Sequence, residues 1–264
     1  MSRTVIIDGD VVVYKVAEGV SDSFEITTEE DDEFIYRNIG WANKQQAIDY
    51  CENLIDKICK DCKADSVAIC LSDMKSNFRK VINPNYKANR KAIKPILYEF
   101  IREYLTTSGY KLYEKPSLEA DDVIGILATT DRIIKGDKVV WSFDKDFKTI
   151  PCKFHRAKPT GKSESKLITP EEADWWFMYQ TLIGDTVDGY YGCKGIGEKT
   201  AKKILGKIGE FSLECGLKLL ILLYTKDSQK KMLYSMLVWL ESYTLKIMTL
   251  KIRKLNYGIY RMGL

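Results

Sequence analysis

Three short runs of apolar, mostly β-branched residues punctuate the chain, and each ends at or near an aspartate. Thr4-Val5-Ile6-Ile7 stops at Asp8, Ser66-Val67-Ala68-Ile69-Cys70-Leu71 stops near Asp73, and Lys138-Val139-Val140-Trp141-Ser142-Phe143 stops at Asp144. Apolar runs of this length without polar alternation suit strands covered on both faces. Helical periodicity fills Gln45 to Lys60 and Ile96 to Ser108 between them. Strands alternating with helices predict an α/β fold built on a central, mainly parallel sheet flanked by helices. Ligands of such sheets sit beyond the carboxyl ends of the strands, so the strand-end aspartates are expected to converge.

Other stretches fall outside that rhythm. Glu25 to Trp41 reads as a hairpin whose turn, Glu29-Glu30-Asp31-Asp32-Glu33, is acidic and solvated. Lys158 to Lys166, with Pro159, Gly161, Ser163 and Ser165, reads as a loop or linker. Thr169-Pro170-Glu171-Glu172 then opens a helix with Thr169 as its cap. The domain change is placed there, with a core over residues 1–168 and a helical unit over 169–264. Trp175-Trp176-Phe177-Tyr179 reads as helix core, because large aromatics dominate cores. Leu217 to Tyr224 and Leu233 to Leu240 read the same way.

Composition adds boundaries. With 264 residues, 45% hydrophobic and 30% charged, the chain has the make-up of an ordinary globular protein. It lacks a run of about 18 apolar residues, and no membrane-spanning helix is expected. Its start runs straight into a strand without the apolar stretch of a signal peptide, so an intracellular location is expected. Seven cysteines, an odd number, do not suggest a disulfide framework. Cys59 and Cys62 form one C-x-x-C, but with His155 as the only histidine a zinc site is short of ligands.

The net charge of +4 decides little, whereas its distribution is informative. From Met74 to Tyr98 the chain carries Lys75, Arg79, Lys80, Lys87, Arg90, Lys91 and Lys94 and no carboxylate. Phe78 and Tyr86 lie among those cations, a mixture that suits unpaired bases beside phosphates. A second basic stretch, Lys194 to Lys207, includes Lys199, Lys202 and Lys203. It follows Gly192-Cys193-Lys194-Gly195-Ile196-Gly197, whose glycines let backbone N–H groups at a helix start approach a phosphate. Lys194, Gly195, Gly197, Lys199, Thr200 and Lys202 are the expected DNA contacts there, and Arg79, Tyr86, Lys87 and Arg90 those of the first run.

Acids gather elsewhere. Glu119-Ala120-Asp121-Asp122 precedes an apolar run, Asp144 and Asp146 are two apart, and Asp185 and Asp188 would share a face if helical. Carboxylate oxygens without histidine or thiolate clusters favour Mg²⁺ or Mn²⁺, and paired ions of this kind hydrolyse phosphodiesters. Each group also has a plain reading, as a helix cap or as turn residues beside Gly184 and Gly189. Their conjunction favours chemistry.

At these residues the sequence resembles the 5′-nuclease superfamily of flap endonucleases and polymerase 5′-nuclease domains, most closely the gene-6-type 5′→3′ exonucleases of short-tailed bacteriophages. The matching pieces are Asp8-Gly9-Asp10, Asn83 to Ala92, Leu118 to Val123, Ser142 to Pro151, Ala173-Asp174-Trp175-Trp176 and Gly184 to Tyr190. The resemblance implies a PIN-like core, a helical arch over about 75–98, and a helix–three-turn–helix over about 180–207. It implies two Mg²⁺ ions, replaceable by Mn²⁺, one held by Asp8, Asp73, Glu119 and Asp121 and the other by Asp144, Asp146, Asp185 and Asp188. Asp122 supports either, whereas Asp10 fits only the phage pattern and is left out. Lys87 and Arg90 match arch residues that act on the scissile phosphate, and K⁺ is implied at the glycine turn. Implied substrates are DNA 5′ ends in duplex, nicked or flapped form, and RNA–DNA hybrids. The implied setting is phage replication or host DNA degradation in a bacterial cytoplasm. After about Tyr234 the chain departs from the family pattern.

Two other classes compete. Ile6-Ile7-Asp8-Gly9-Asp10 mimics the nucleophile strand of haloacid-dehalogenase-type phosphatases, which leaves Glu119 to Asp122 and the basic run unexplained. A non-catalytic DNA-binding protein would not need the carboxylates.

Overall fold

The computed structural model describes residues 2–30, 33–84, 86–88, 94–158, 163–189 and 192–209. From the start come β1 (Arg3–Asp8), α1 (Gly9–Gly19), a hairpin of β2 (Ser21–Glu30) and β3 (Glu33–Ala42), and α2 (Lys44–Cys62). Next are β4 (Ser66–Cys70), the short α3 (Phe78–Ile82), α4 (Tyr98–Thr107), β5 (Lys111–Tyr113), α5 (Ala120–Thr129) and β6 (Asp137–Ser142). A 3-10 turn (Lys145–Thr149) leads into β7 (Lys153–Ala157), β8 (Ser163–Leu167), α6 (Pro170–Ile183) and α7 (Glu198–Leu205).

Six strands form one sheet in the order β5-β4-β1-β6-β7-β8. All neighbours are parallel except β8, which runs antiparallel to β7. The apolar strands explain this, because successive side chains point to opposite faces and both faces are covered. Val5, Ile7, Ile69, Val139 and Trp141 pack with α1, α2 and α4. Ile6, Ala68, Cys70 and Val140 pack on the other side with α5, Phe147 and Phe154. Each fully buried aliphatic side chain contributes about 1.5–3 kcal/mol.

The order of the strands locates the site. The chain steps outward from β1 to β4 and β5, then returns to the far side of β1 as β6 and β7. Such a reversal opens a crevice at the carboxyl ends of the two strands where it occurs, here β1 and β6. Gly9, at the β1–α1 junction, is needed for that geometry. A Cβ there would lie 2.6 Å from the Cys70 carbonyl oxygen and 2.7 Å from Ile69, so α1 could not sit so close to β4.

The expected hairpin is present, paired from Ser21 with Ala42 to Glu30 with Glu33. The 158–166 segment is corrected: Ser163 to Leu167 forms edge strand β8, exposed along its whole length. With neither face buried it carries no apolar alternation, and the sequence therefore read as loop. Thr169 caps α6 as expected, accepting from the Glu172 backbone N–H at 3.2 Å. Trp175, Phe177 and Tyr179 are buried, while Ile168 and Ala173 tie the start of α6 into the second core layer. Six cysteines are described, all free thiols. Among the described residues no helix is long and apolar enough to cross a membrane. The two core helices expected at 217–224 and 233–240 lie outside the described residues.

Candidate active site in a carboxylate cleft

Asp8 closes β1 and caps α1, accepting from the Val11 backbone N–H at 3.3 Å. Ser142, the last residue of β6 and fully buried, donates to Asp8 Oδ2 at 2.8 Å and accepts from the Asp144 backbone N–H at 3.0 Å. One hydroxyl thus fixes two strand-end acids relative to each other. Asp144 caps the 3-10 turn by accepting from the Asp146 N–H at 2.8 Å, and Gln180 of α6 donates to Asp146 Oδ1. Asp185 and Asp188 are not helical. They sit in a turn after α6 in which Asp185 Oδ1 accepts from the backbone N–H groups of Val187 (2.9 Å) and Asp188 (3.3 Å).

Across the crevice, Glu119 caps α5 and collects cations. Lys87 Nζ lies 2.8 Å and Arg79 Nη1 3.1 Å from its oxygens, and the Tyr86 hydroxyl donates to it at 2.7 Å. Asp8, Glu119, Asp121, Asp144, Asp146, Asp185 and Asp188 all line one cleft of about 820 Å³, together with Lys87. That size lies within the range of ligand-binding pockets, roughly 300–1,000 Å³. Among the described residues no three His, Cys, Asp or Glu side chains already stand close enough together to hold a metal ion.

The electrostatics are those of a site with too much negative charge. Burial, and then the neighbouring Asp10, push the Asp8 carboxyl up to about 7. Burial followed by Asp144 pushes Asp146 up to about 6, and burial followed by Asp122 raises Asp121. Burial also opposes ionisation of Glu119, but Lys87 and Arg79 outweigh it and hold that carboxyl below its ordinary value. Hard oxygen donors in excess over cations fit divalent ions such as Mg²⁺.

Four of the expected site residues are engaged in the fold itself. Asp122 does not line the cleft: it is buried in a bidentate pair with Arg79, both oxygens 2.7 Å from guanidinium nitrogens. Arg79, which also lines the cleft, is correspondingly a buried cation that holds α3 against α5. Removing one partner of such a pair costs about 3–5 kcal/mol. Tyr86 lines the cleft but is buried too, with Arg79 and Lys87 against its ring and its hydroxyl on Glu119. Asp73 lies outside the cleft lining, its carboxylate accepting from Lys75 N, Ser76 Oγ and Ser117 N. These bonds hold it ionised down to about 2 and brace the turn ahead of α5.

Asp10, outside the expected metal set, also lines the cleft. Its carboxylate accepts from Ser72 and from Arg102 Nη1 at 3.2 Å, an engaged state that does not suit the second acid of a phosphatase. Arg102 also reaches Ser72 O and Glu114, and Ser72 Oγ accepts from Ala120 N at 2.8 Å, so one network joins α1, α4 and α5. The available signals were a lone arginine on the buried face of α4 and Ser142 at the end of the apolar run of β6.

Arg90 lies outside the described residues. The glycine turn is as expected in position, with Gly197 capping α7 and Lys194, Lys199, Thr200 and Lys202 exposed. Gly195 has φ +79°, whereas Gly197 has φ −93° and needs no left-handed conformation. A Cβ at either would meet open space.

A family model described as 5′-3′ exonuclease, N-terminal resolvase-like domain, matches residues 3–172. The chain is 34% identical over 204 residues to the exonuclease of Escherichia phage T7, covering 76% of this chain and 65% of that protein. It is 34% identical over 197 residues to the exodeoxyribonuclease of Enterobacteria phage T3, covering 73% and 63%. It therefore spans somewhat less than two thirds of these relatives. A bacteriophage T5 flap endonuclease, solved as a pseudo-enzyme–product complex with DNA and metal ions, superposes with a TM-score of 0.59 at 16% identity over 92% of this chain and 90% of that one. That likeness is one of fold.

Proposed function

The chain belongs to the 5′-3′ exonuclease family, and on that premise we propose that it hydrolyses DNA phosphodiesters from 5′ ends with divalent metal ions held in the carboxylate cleft. The observation that carries the reading is the convergence of seven of the expected metal ligands, from β1, the start of α5, the turn after β6 and the turn after α6, on one cleft that also holds Lys87. The ions proposed are two Mg²⁺, with Mn²⁺ as a substitute. Asp8, Glu119 and Asp121 would hold one, and Asp144, Asp146, Asp185 and Asp188 the other. Bound there, divalent ions supply Lewis acidity and lower the proton affinity of attacking water.

The chain's own residues prepare that chemistry. Ser142 keeps Asp8 and Asp144 in register across the switch point, and Gln180 fixes Asp146. Lys87, now on Glu119, is placed to neutralise charge that builds on a scissile phosphate, and Arg90 is proposed for the same role. Asp73 and Asp122 brace α5 rather than face the substrate. Lys194, Gly195, Gly197, Lys199, Thr200 and Lys202 are proposed to hold the duplex backbone, with K⁺ at the turn. Residues 1–168 form the proposed nuclease core, and 169–264 the proposed DNA-gripping unit. The setting proposed is a bacterial cytoplasm.

The test is a cleavage assay with Mg²⁺ on end-labelled blunt, nicked and 5′-flapped DNA and on an RNA–DNA hybrid. Stepwise loss from 5′ ends, stopped by EDTA, is expected on at least the DNA forms. Metal-independent cleavage, or release from 3′ ends, would overturn the reading.

A further inference from the structure

Beside the carboxylate cleft lies a second, smaller recess of about 110 Å³, between the 3-10 turn, β7 and α6. Lys145, Asp146 and Asp185 border both, so the two adjoin along a shared rim. Its remaining walls change sign. Lys148 and Arg156 face into it with Trp176 and Tyr179. Lys148 Nζ sits 4.4 Å from the centre of the Trp176 ring, a cation–π placement that holds the ammonium at the recess. The Arg156 Nε donates to the Phe143 carbonyl at 3.3 Å, which anchors the guanidinium against the end of β6.

Apart from Asp146 and Asp185 at the shared rim, the acids near these cations are engaged elsewhere. Glu164 lies 3.6 Å from Lys158, and the buried Glu172 pairs with Lys166 at 2.5 Å. Among the described residues none of Lys145, Lys148 and Arg156 has a carboxylate within ion-pair distance. Three cations line the recess against two carboxylates, Asp146 and Asp185, both at the rim shared with the cleft, and the wall carrying Lys148 and Arg156 favours an anion. The recess is too small for a nucleoside, since pockets that enclose drug-sized ligands start near 300 Å³. It has room for a single tetrahedral anion.

We propose that this recess is a phosphate subsite that takes a backbone phosphate of the DNA strand next to the carboxylate cleft, held by Lys148 and Arg156 with Lys145 at the shared rim. The inference rests on the nuclease reading of that cleft. It gives the 3-10 turn two tasks, because the segment that ends β6 with Asp144 and Asp146 also presents Lys148. It also gives Trp176 a role as the platform that orients Lys148, where the buried Trp175 and Tyr179 serve the core. A strand whose phosphate sits here is fixed relative to the acids that cut it.

The experiment measures affinity of the full chain for an end-labelled oligonucleotide duplex in EDTA across a salt series, and cleavage of the same duplex in Mg²⁺. Lys148→Gln and Arg156→Gln should each weaken binding about three- to tenfold and reduce the salt slope by about 0.7–0.9, the loss of one phosphate contact. Lys148→Arg should restore the slope. Lys57→Gln, on the exposed face of α2, should change neither quantity. If wild type cleaves DNA but the Lys148 and Arg156 variants, shown folded by circular dichroism, keep its affinity and slope, the subsite is overturned alone. If wild type neither binds nor cleaves, the nuclease reading falls and takes the subsite with it.

Discussion

Asp8 shows how much can hang on one carboxyl. It ends a strand, caps a helix, accepts from a buried serine and retains its proton to about 7. Asp146 does so to about 6, and Asp121 is raised as well. An unfolded chain releases these protons near 4. Between about pH 4 and about pH 7 the metal-free folded state therefore binds more protons than the unfolded one, and stability falls as pH rises. The depressed acids Asp73, Glu119 and Asp137 act below that window. His155, lowered by burial, opposes the trend with one group. Each tenfold change in proton affinity is worth about 1.4 kcal/mol, and each kcal/mol about 2–4 °C in a chain of this size. Calorimetry in EDTA should show the melting temperature dropping by several degrees from about pH 5 to about pH 8. Saturating Mg²⁺ should shrink the drop as cations replace protons, and Asp8→Asn should flatten it without metal. A level or rising metal-free profile would mean the cleft carries no excess charge. Asp8 and Asp144 were legible in the sequence because each ends an apolar strand. The burial of Arg79 was not, since its partner Asp122 lies 43 positions away and the surrounding run is basic.

At the scale of elements, β1, β4 and β6 and the helices α2, α4 and α6 follow from period and caps. The strands β5, β7 and β8 do not: β5 has three residues, β7 mixes Lys153, His155 and Arg156 with its apolar positions, and β8 is wholly exposed. Only pairing to a neighbour makes them strands, and pairing leaves no mark in a single sequence. The glycine turn before α7 was legible in place but not in conformation. Its two glycines now separate strain from contact. Gly195→Ala should cost about 1–2 kcal/mol of stability for its positive φ, and Gly197→Ala well under 1. Both should weaken duplex binding, because both Cβ atoms point into open space where a phosphate backbone would approach. Urea unfolding and duplex titration of both variants measure the two effects separately. Unchanged duplex affinity in both would mean the turn does not touch DNA.

Across the whole molecule, the strand reversal at β1 and β6 gathers acids that lie far apart in sequence, from Asp8 to Asp188, into one cleft. Sequence order alone suggested the convergence, but left open which acids would line the cleft and which would brace it. The separation turned on hydrogen bonds from Ser76, Ser117 and Arg79 that no periodicity encodes. The cleft's purpose is tested most directly at Asp144, an exposed acid whose only described local task is to cap the 3-10 turn, which an asparagine side chain can also do. The measurement is single-turnover cleavage of 5′-end DNA against Mg²⁺ concentration for wild type and Asp144→Asn, with DNA affinity in EDTA and folding by circular dichroism. The expected result is unchanged folding and affinity with cleavage reduced about a hundredfold or more, because a neutral amide is a poor ligand for a hard cation. Cleavage by the folded variant at the wild-type rate, with the same Mg²⁺ dependence, would contradict it.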